Sequence, residues 1–166
     1  MSTTIDDLRR LAVLEGIGEE YLQQLAENSA AVDFPADARI FRKGDPATDV
    51  YLIVSGSVSL EICGPGIGCR RILTVADGQL LGWSPVLEQP NLTATARTLT
   101  PTRAVQINGR QLLAMAEHDP RFGYEFMRRA ALALAKRLSA TRLQLLDVYG
   151  QEMPPGASEA ASQSES

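Results

Sequence analysis

The side chains best suited to nucleophilic or metal chemistry are few: two cysteines, Cys63 and Cys69, and a single histidine, His118. One histidine is too few for a His-rich metal site, and two cysteines are too few for a disulfide scaffold. No nucleophile elbow, Walker loop or metal-spacing motif accompanies them, so the sequence predicts a protein that is not an enzyme. The cysteines flank Gly64-Pro65-Gly66-Ile67-Gly68. That run reads as a hairpin turn rather than a phosphate loop, because no helical pattern follows it. A hairpin could bring the two thiols face to face, but disulfides are uncommon in the cytosol, and free, reduced thiols are expected.

The elements that must position any site change character along the chain. The 166 residues fit one domain of ordinary size. Residues 1–30 carry Leu8, Leu11, Leu14, Tyr21, Leu22 and Leu25 at helical spacing, interrupted by Gly16 and Gly18, which predicts two short helices. Residues 31–118 then read as short β-rich runs at 39–42, 50–55, 58–63, 71–75, 93–98 and 103–107, broken by Gly, Pro and Asp. Such a pattern predicts a mainly β fold, an antiparallel jelly-roll barrel with flanking helices. Asp119 and Pro120 make an N-cap and first-turn pair that opens a long helix over 119–150.

This helix bears a stripe at Tyr124, Met127, Ala131, Leu134, Leu138, Thr141, Leu145 and Val148, with spacings alternating three and four. The alternation is that of a heptad seam and predicts a homodimer through residues 124–148. Packing of the stripe on the barrel is the alternative, although a helix of about 45 Å outruns a small barrel. The helix also carries Arg121, Arg128, Arg129, Lys136, Arg137 and Arg142, which read as a solvated face. Residues 151–166 are small and polar and predict a disordered tail.

The most specific pattern is Gly44-Asp45-Pro46-Ala47-Thr48-Asp49-Val50-Tyr51-Leu52-Ile53-Val54-Ser55-Gly56-Ser57-Val58, an apolar strand framed by glycine turns. Glycines there permit the positive φ angles of tight barrel corners. With Gly78 following in order, the sequence over residues 5–150 resembles the cyclic nucleotide-binding domain family, the sensor of Crp/Fnr regulators. The resemblance implies a phosphate-binding cassette at 82–98. In that family a short helix offers amides to the anion, an arginine neutralises the cyclic phosphate and a glutamate accepts from the ribose hydroxyl. Gly82, Ala94 and Thr95 match the family pattern in register, and Thr93 lies between. Trp83 stands at the glutamate position and Leu92 at the arginine position. Ser84 as N-cap and Pro85 at the first helical position would start the cassette helix, though proline brings no amide donor.

Loss of two charge-assisted contacts, each worth about 1.5 to 3 kcal/mol, removes several powers of ten in affinity. Arg97 lies five residues from Leu92, and an odd offset along a strand reverses the face. The candidate ligand site is therefore Gly82, Trp83, Ser84, Leu92, Thr93, Ala94 and Thr95, with Val86 and Leu87 adding apolar surface. No cofactor or metal is expected. The resemblance implies cAMP or cGMP, yet the contacts for either are missing.

Two functions fit this reading: a ligand-sensing regulatory domain that signals through its long helix to a partner or a second copy, and an adaptor that kept the fold without a ligand. Direct DNA binding is not expected, because only the polar tail follows Gly150. A net charge of −4, concentrated in that tail by Glu152, Glu159 and Glu165, leaves residues 1–150 nearly neutral, with no electrostatic footprint for nucleic acid. No run reaches the ~20 apolar residues of a membrane span and the N-terminus has no signal-peptide pattern, so a cytoplasmic protein is expected.

Overall fold

In the strand Asp49–Ser55 (β3), Val50 and Leu52 point to one face and Tyr51 and Ile53 to the other, and all four are buried. A strand buried on both faces must lie between two layers. The computed structural model, which describes residues 4–66, 68–82, 84–86 and 89–149, shows what those layers are. Seven further strands complete the roll: β1 Ser29–Phe34, β2 Arg39–Phe41, β4 Ser57–Gly64, β5 Gly68–Ala76, β6 Leu80–Leu81, β7 Thr95–Thr98 and β8 Thr102–Asn108. They form two antiparallel four-stranded sheets, ordered β1-β8-β3-β6 and β2-β7-β4-β5. The expected jelly roll is the fold. Between the sheets pack Tyr51, Ile53, Val58, Val75, Leu81, Ala96 and Ala104, with Phe34, Ile40, Phe41, Leu60 and Leu73 around them.

The outer face of the first sheet is covered by helix. Helix α1 (Thr4–Arg10) lies on β1, β3 and β8 and buries Leu8, and α2 (Glu19–Glu27) buries Leu22 and Leu25. A 3-10 turn at Ala12–Leu14 joins them. Asp7 is fully buried beneath α1, and its carboxylate takes hydrogen bonds from Arg103 of β8 at 2.9 and 3.0 Å. Arg103 also reaches Asp33 of β1 at 2.9 Å, so one guanidinium ties α1 to two strands.

The structure adds to the expected elements the strands β1 and β6 and the helix α3 (Gly109–His118), which follows β8 directly. The side chain of Asn108 caps α3 by accepting from the Gln111 amide at 3.1 Å, a signal hidden at the end of a strand run.

Helix α4 (Pro120–Tyr149) begins as expected, with the Asp119 carboxylate accepting from the Phe122 amide at 3.2 Å. Its first turns dock through Phe122, Phe126 and Ala130, one residue per turn, and Phe122 stacks against Tyr21 of α2 with ring centroids 5.3 Å apart. This is not the face of the heptad stripe. Tyr124 and Met127 of the stripe are exposed, 65% and 38%. Residues 132–149 continue the helix as a separate unit in which Leu138 and Leu145 are also exposed, while the side chain of Val148 lies outside what is described. The tail expected at 151–166 lies outside the described residues.

The glycine frame has a structural cause. Gly56, in the turn between β3 and β4, has φ +117°, and a Cβ there would fall 2.8 Å from the Thr102 Cα and the Pro101 carbonyl oxygen. Both the backbone angle and the space exclude any other residue.

One expectation is overturned. Cys63 and Cys69 are not free thiols but a disulfide, S–S 2.06 Å. The reason lies in register: the two residues are directly opposite each other in the β4–β5 hairpin. The hairpin thus supplies the proximity that an argument from cellular compartment disregards.

Candidate functional site

The cassette-equivalent segment begins where β6 ends. Gly82 turns the chain at φ +77°, and a Cβ on it would meet the Asp49 carbonyl oxygen at 3.1 Å and the rings of Phe41 and Tyr51 at 3.6 and 3.7 Å. The glycine therefore lets the segment pass close over the mouth of the inter-sheet core. Trp83 and Leu87, two of the residues expected to make this region apolar, lie outside the described residues. Ser84 and Val86 are buried, and the Ser84 carbonyl accepts from the Gln89 amide at 2.9 Å. Residues 84–86 form a turn rather than the helix start expected of Ser84 and Pro85. Pro85 packs instead on Gly109, the first residue of α3, so closely that a Cβ there would lie 2.3 Å from it.

From residue 90 the segment is zipped to the loop that precedes β3. The Ala47 amide donates to the Pro90 carbonyl at 3.0 Å, the Leu92 amide to the Asp45 carbonyl at 2.9 Å, and the Gly44 amide to the Leu92 carbonyl at 2.8 Å. Asp45 in turn accepts from the Arg42 amide, and Thr95 Oγ1 from the Lys43 amide at 3.0 Å. This ladder fixes Leu92 through both of its backbone polar groups, and its side chain is buried, 8% exposed. Thr93 points to solvent, Ala94 is half-buried, Thr95 is buried and Ala96 joins the inter-sheet core.

Among the described residues, the candidates Gly82, Ser84, Leu92, Thr93, Ala94 and Thr95 do not converge as a polar cluster. Not legible in the sequence is the pairing of this segment with the loop from Arg42 to Ala47, and the approach of Gly82 to Phe41 and Tyr51. The loop's glycine-aspartate turn is visible, though only as a barrel corner.

The electrostatics of the core are set by absence of charge. Every side chain of the inter-sheet cluster is a hydrocarbon except Tyr51, whose hydroxyl is pushed above its ordinary value by burial and, secondarily, by Asp49. Arg97 does not face the core. Its neighbour Ala96 does, while the Arg97 guanidinium lies 3.4 Å from Asp37 and 3.9 Å from Glu61 on the opposite face of the sheet. Among the described residues, Glu61, Cys63 and Cys69 are the group whose donor atoms come within 4.8 Å of one another. With the sulfurs joined they are not thiolates, and this state offers no thiolate ligand.

A jelly roll flanked by short N-terminal helices, crossed by a turn-and-strand cassette and followed by a long helix, defines a regulatory effector domain rather than an enzyme. More particularly, the chain belongs to the cyclic nucleotide-binding domain family, whose family model matches residues 31–119. Over 148 residues it is 26% identical to the CRP-like cAMP-activated global transcriptional regulator of Mycobacterium tuberculosis, covering 89% of this chain. The chain spans 64% of that relative's length. A protein of Geobacter metallireducens GS-15 superposes with TM-score 0.71 at 28% identity, covering 83% of this chain and 99% of its own. A cyclic nucleotide-binding domain from Methylobacillus flagellatus KT gives TM-score 0.74 at 19% identity, covering 87% and 81% of the two chains, and shares the fold. No helix among the described residues is long and apolar enough to cross a membrane.

Proposed function

We propose that this chain is a sensory regulatory domain whose pocket does not take a cyclic phosphate by the charge-assisted contacts usual in its family, and that it passes the state of the barrel through α4 to a second copy or a protein partner. The observation that carries the reading is Leu92. It occupies the position at which the family pattern places the phosphate-binding arginine, its backbone is bonded on both sides, and its side chain is buried. An ionic ligand entering there would lose its hydration without gaining a counter-charge, at a cost that the apolar core cannot offset. A less polar ligand suits the same surroundings. Trp83, at the glutamate position, adds to this argument from the sequence alone.

The signalling half of the proposal rests on the two faces of α4. One face is taken up by packing on α2, and the heptad stripe is left exposed at Tyr124, Met127, Leu138 and Leu145. An apolar seam of this length in water favours a partner helix.

The filled inter-sheet core also favours a second reading, an adaptor that binds no small molecule. One titration separates the two, because Trp83 is the sole tryptophan. Purified protein is titrated with cAMP, cGMP and a panel of small apolar metabolites while tryptophan emission and melting temperature are followed. Sensing predicts a saturable response to an apolar compound, and silence toward every compound in a folded protein supports the adaptor.

A further inference from the structure

The pairing of β4 with its two neighbours ends unevenly. Its last partner in β7 is Thr95, opposite Glu61, whereas its ladder with β5 runs on through Ile62↔Arg70, Cys63↔Cys69 and Gly64↔Gly68. Beyond Glu61 the hairpin is therefore a two-stranded ribbon that has left the sheet. Such a ribbon is marginal by itself in water, and the glycines at 64, 66 and 68 make its tip costlier still to order. The disulfide sits in this unsupported stretch, joining residues only six apart in sequence. A staple for the whole domain would join distant segments, since the constraint on the unfolded chain grows with the loop closed. This one can hold only the ribbon. Its sulfurs are reachable, with Cys69 exposed and Cys63 half-buried.

We propose that Cys63–Cys69 is a reversible thiol–disulfide exchange site, open to a dithiol reductant in the folded protein, and that its state sets the order of residues 62–70 while leaving the jelly roll intact. The first thiolate of the reductant attacks Sγ of exposed Cys69. A mixed disulfide forms there, and Cys63 leaves as a thiolate that takes a proton from water. The second thiolate of the reductant then attacks its own sulfur in the mixed disulfide and releases Cys69, which is protonated in turn. Two electrons and two protons pass from dithiol to protein, and a dithiol-derived disulfide departs. A small-molecule or protein disulfide drives the reverse.

The test equilibrates the full chain, without denaturant, in mixtures of reduced and oxidised dithiothreitol. Free thiols are trapped by alkylation and counted by mass, and amide hydrogen exchange is followed by peptide. The expected result is a complete and reversible passage between no free thiols and two per chain. Exchange over 62–70 should quicken at least tenfold on reduction, with β1, β3 and β8 unchanged within twofold. The double variant Cys63→Ser with Cys69→Ser should exchange like the reduced protein. The proposal is overturned if the disulfide survives dithiol until the protein unfolds, if it never forms in the oxidised mixtures, or if reduction quickens exchange evenly across the barrel.

Discussion

Leu92 and Gly56 show how differently two residues fix the properties of this domain. Gly56 is a matter of sterics. Replacement by alanine puts a Cβ against the backbone of Thr102 and forces a positive φ on a residue that resists it. The expected cost is about 3 kcal/mol, measurable as a lower urea midpoint with an unchanged slope. On the proposed alignment Leu92 is a matter of charge, and its replacement by arginine alone should give little affinity for a cyclic nucleotide while Trp83 stays at the proposed glutamate position. Tyr51 gives a prediction in pH. Its hydroxyl keeps its proton in the fold beyond the value near 10 at which an unfolded tyrosine loses it. Its contribution to stability is therefore complete below about pH 10 and falls away as the pH rises through the folded value. Tyr51→Phe should flatten part of the alkaline loss of stability, followed by thermal melts between pH 8 and 11.

At the scale of elements, the glycine-framed strand, the two N-terminal helices and the start of α4 were legible because each is encoded locally, by turn residues, periodicity and a cap. The strand β1 and helix α3 were not. Ser29–Phe34 mixes Ala, Asp and Val without clean alternation, and the order of Asn108 and Gly109 reads as a turn unless the strand before it is known to end there. The cassette was legible as a segment but not in form. Pro85 packs against Gly109, a contact across 24 positions that no local pattern reveals, and the described part is a turn. The disulfide follows from register, which the flanking turn sequence encodes by setting the cysteines opposite each other, and not from compartment, which favours free thiols.

The clasp between α1 and the first sheet was equally silent, since Asp7, Asp33 and Arg103 are far apart in sequence. Arg103→Ala should take from the buried Asp7 carboxylate its charge-assisted hydrogen bonds to the guanidinium and cost about 2 to 3 kcal/mol. Replacing Asp7 and Arg103 together by apolar residues should recover part of that loss. Chemical denaturation of the single and double variants reads both.

In the whole molecule a barrel with an uncharged inter-sheet core is followed by a long helix in which Tyr124, Met127, Leu138 and Leu145 of the heptad stripe are exposed. If that stripe is the seam of a dimer, Leu138→Glu with Leu145→Glu should convert a dimer into a monomer in sedimentation equilibrium at micromolar concentration, without loss of β signal in circular dichroism. A wild type that sediments as a monomer throughout would remove the second copy as the receiver of the signal.

Calorimetry on two proteins tests the proposed ligand site at the cassette most directly. cAMP is titrated into the wild type and into the double variant Trp83→Glu with Leu92→Arg, both verified as folded. The wild type should show no saturable heat at concentrations that saturate the variant, a difference of at least a hundredfold in Kd for two charge-assisted contacts. Equal and tight binding by both proteins would contradict the account.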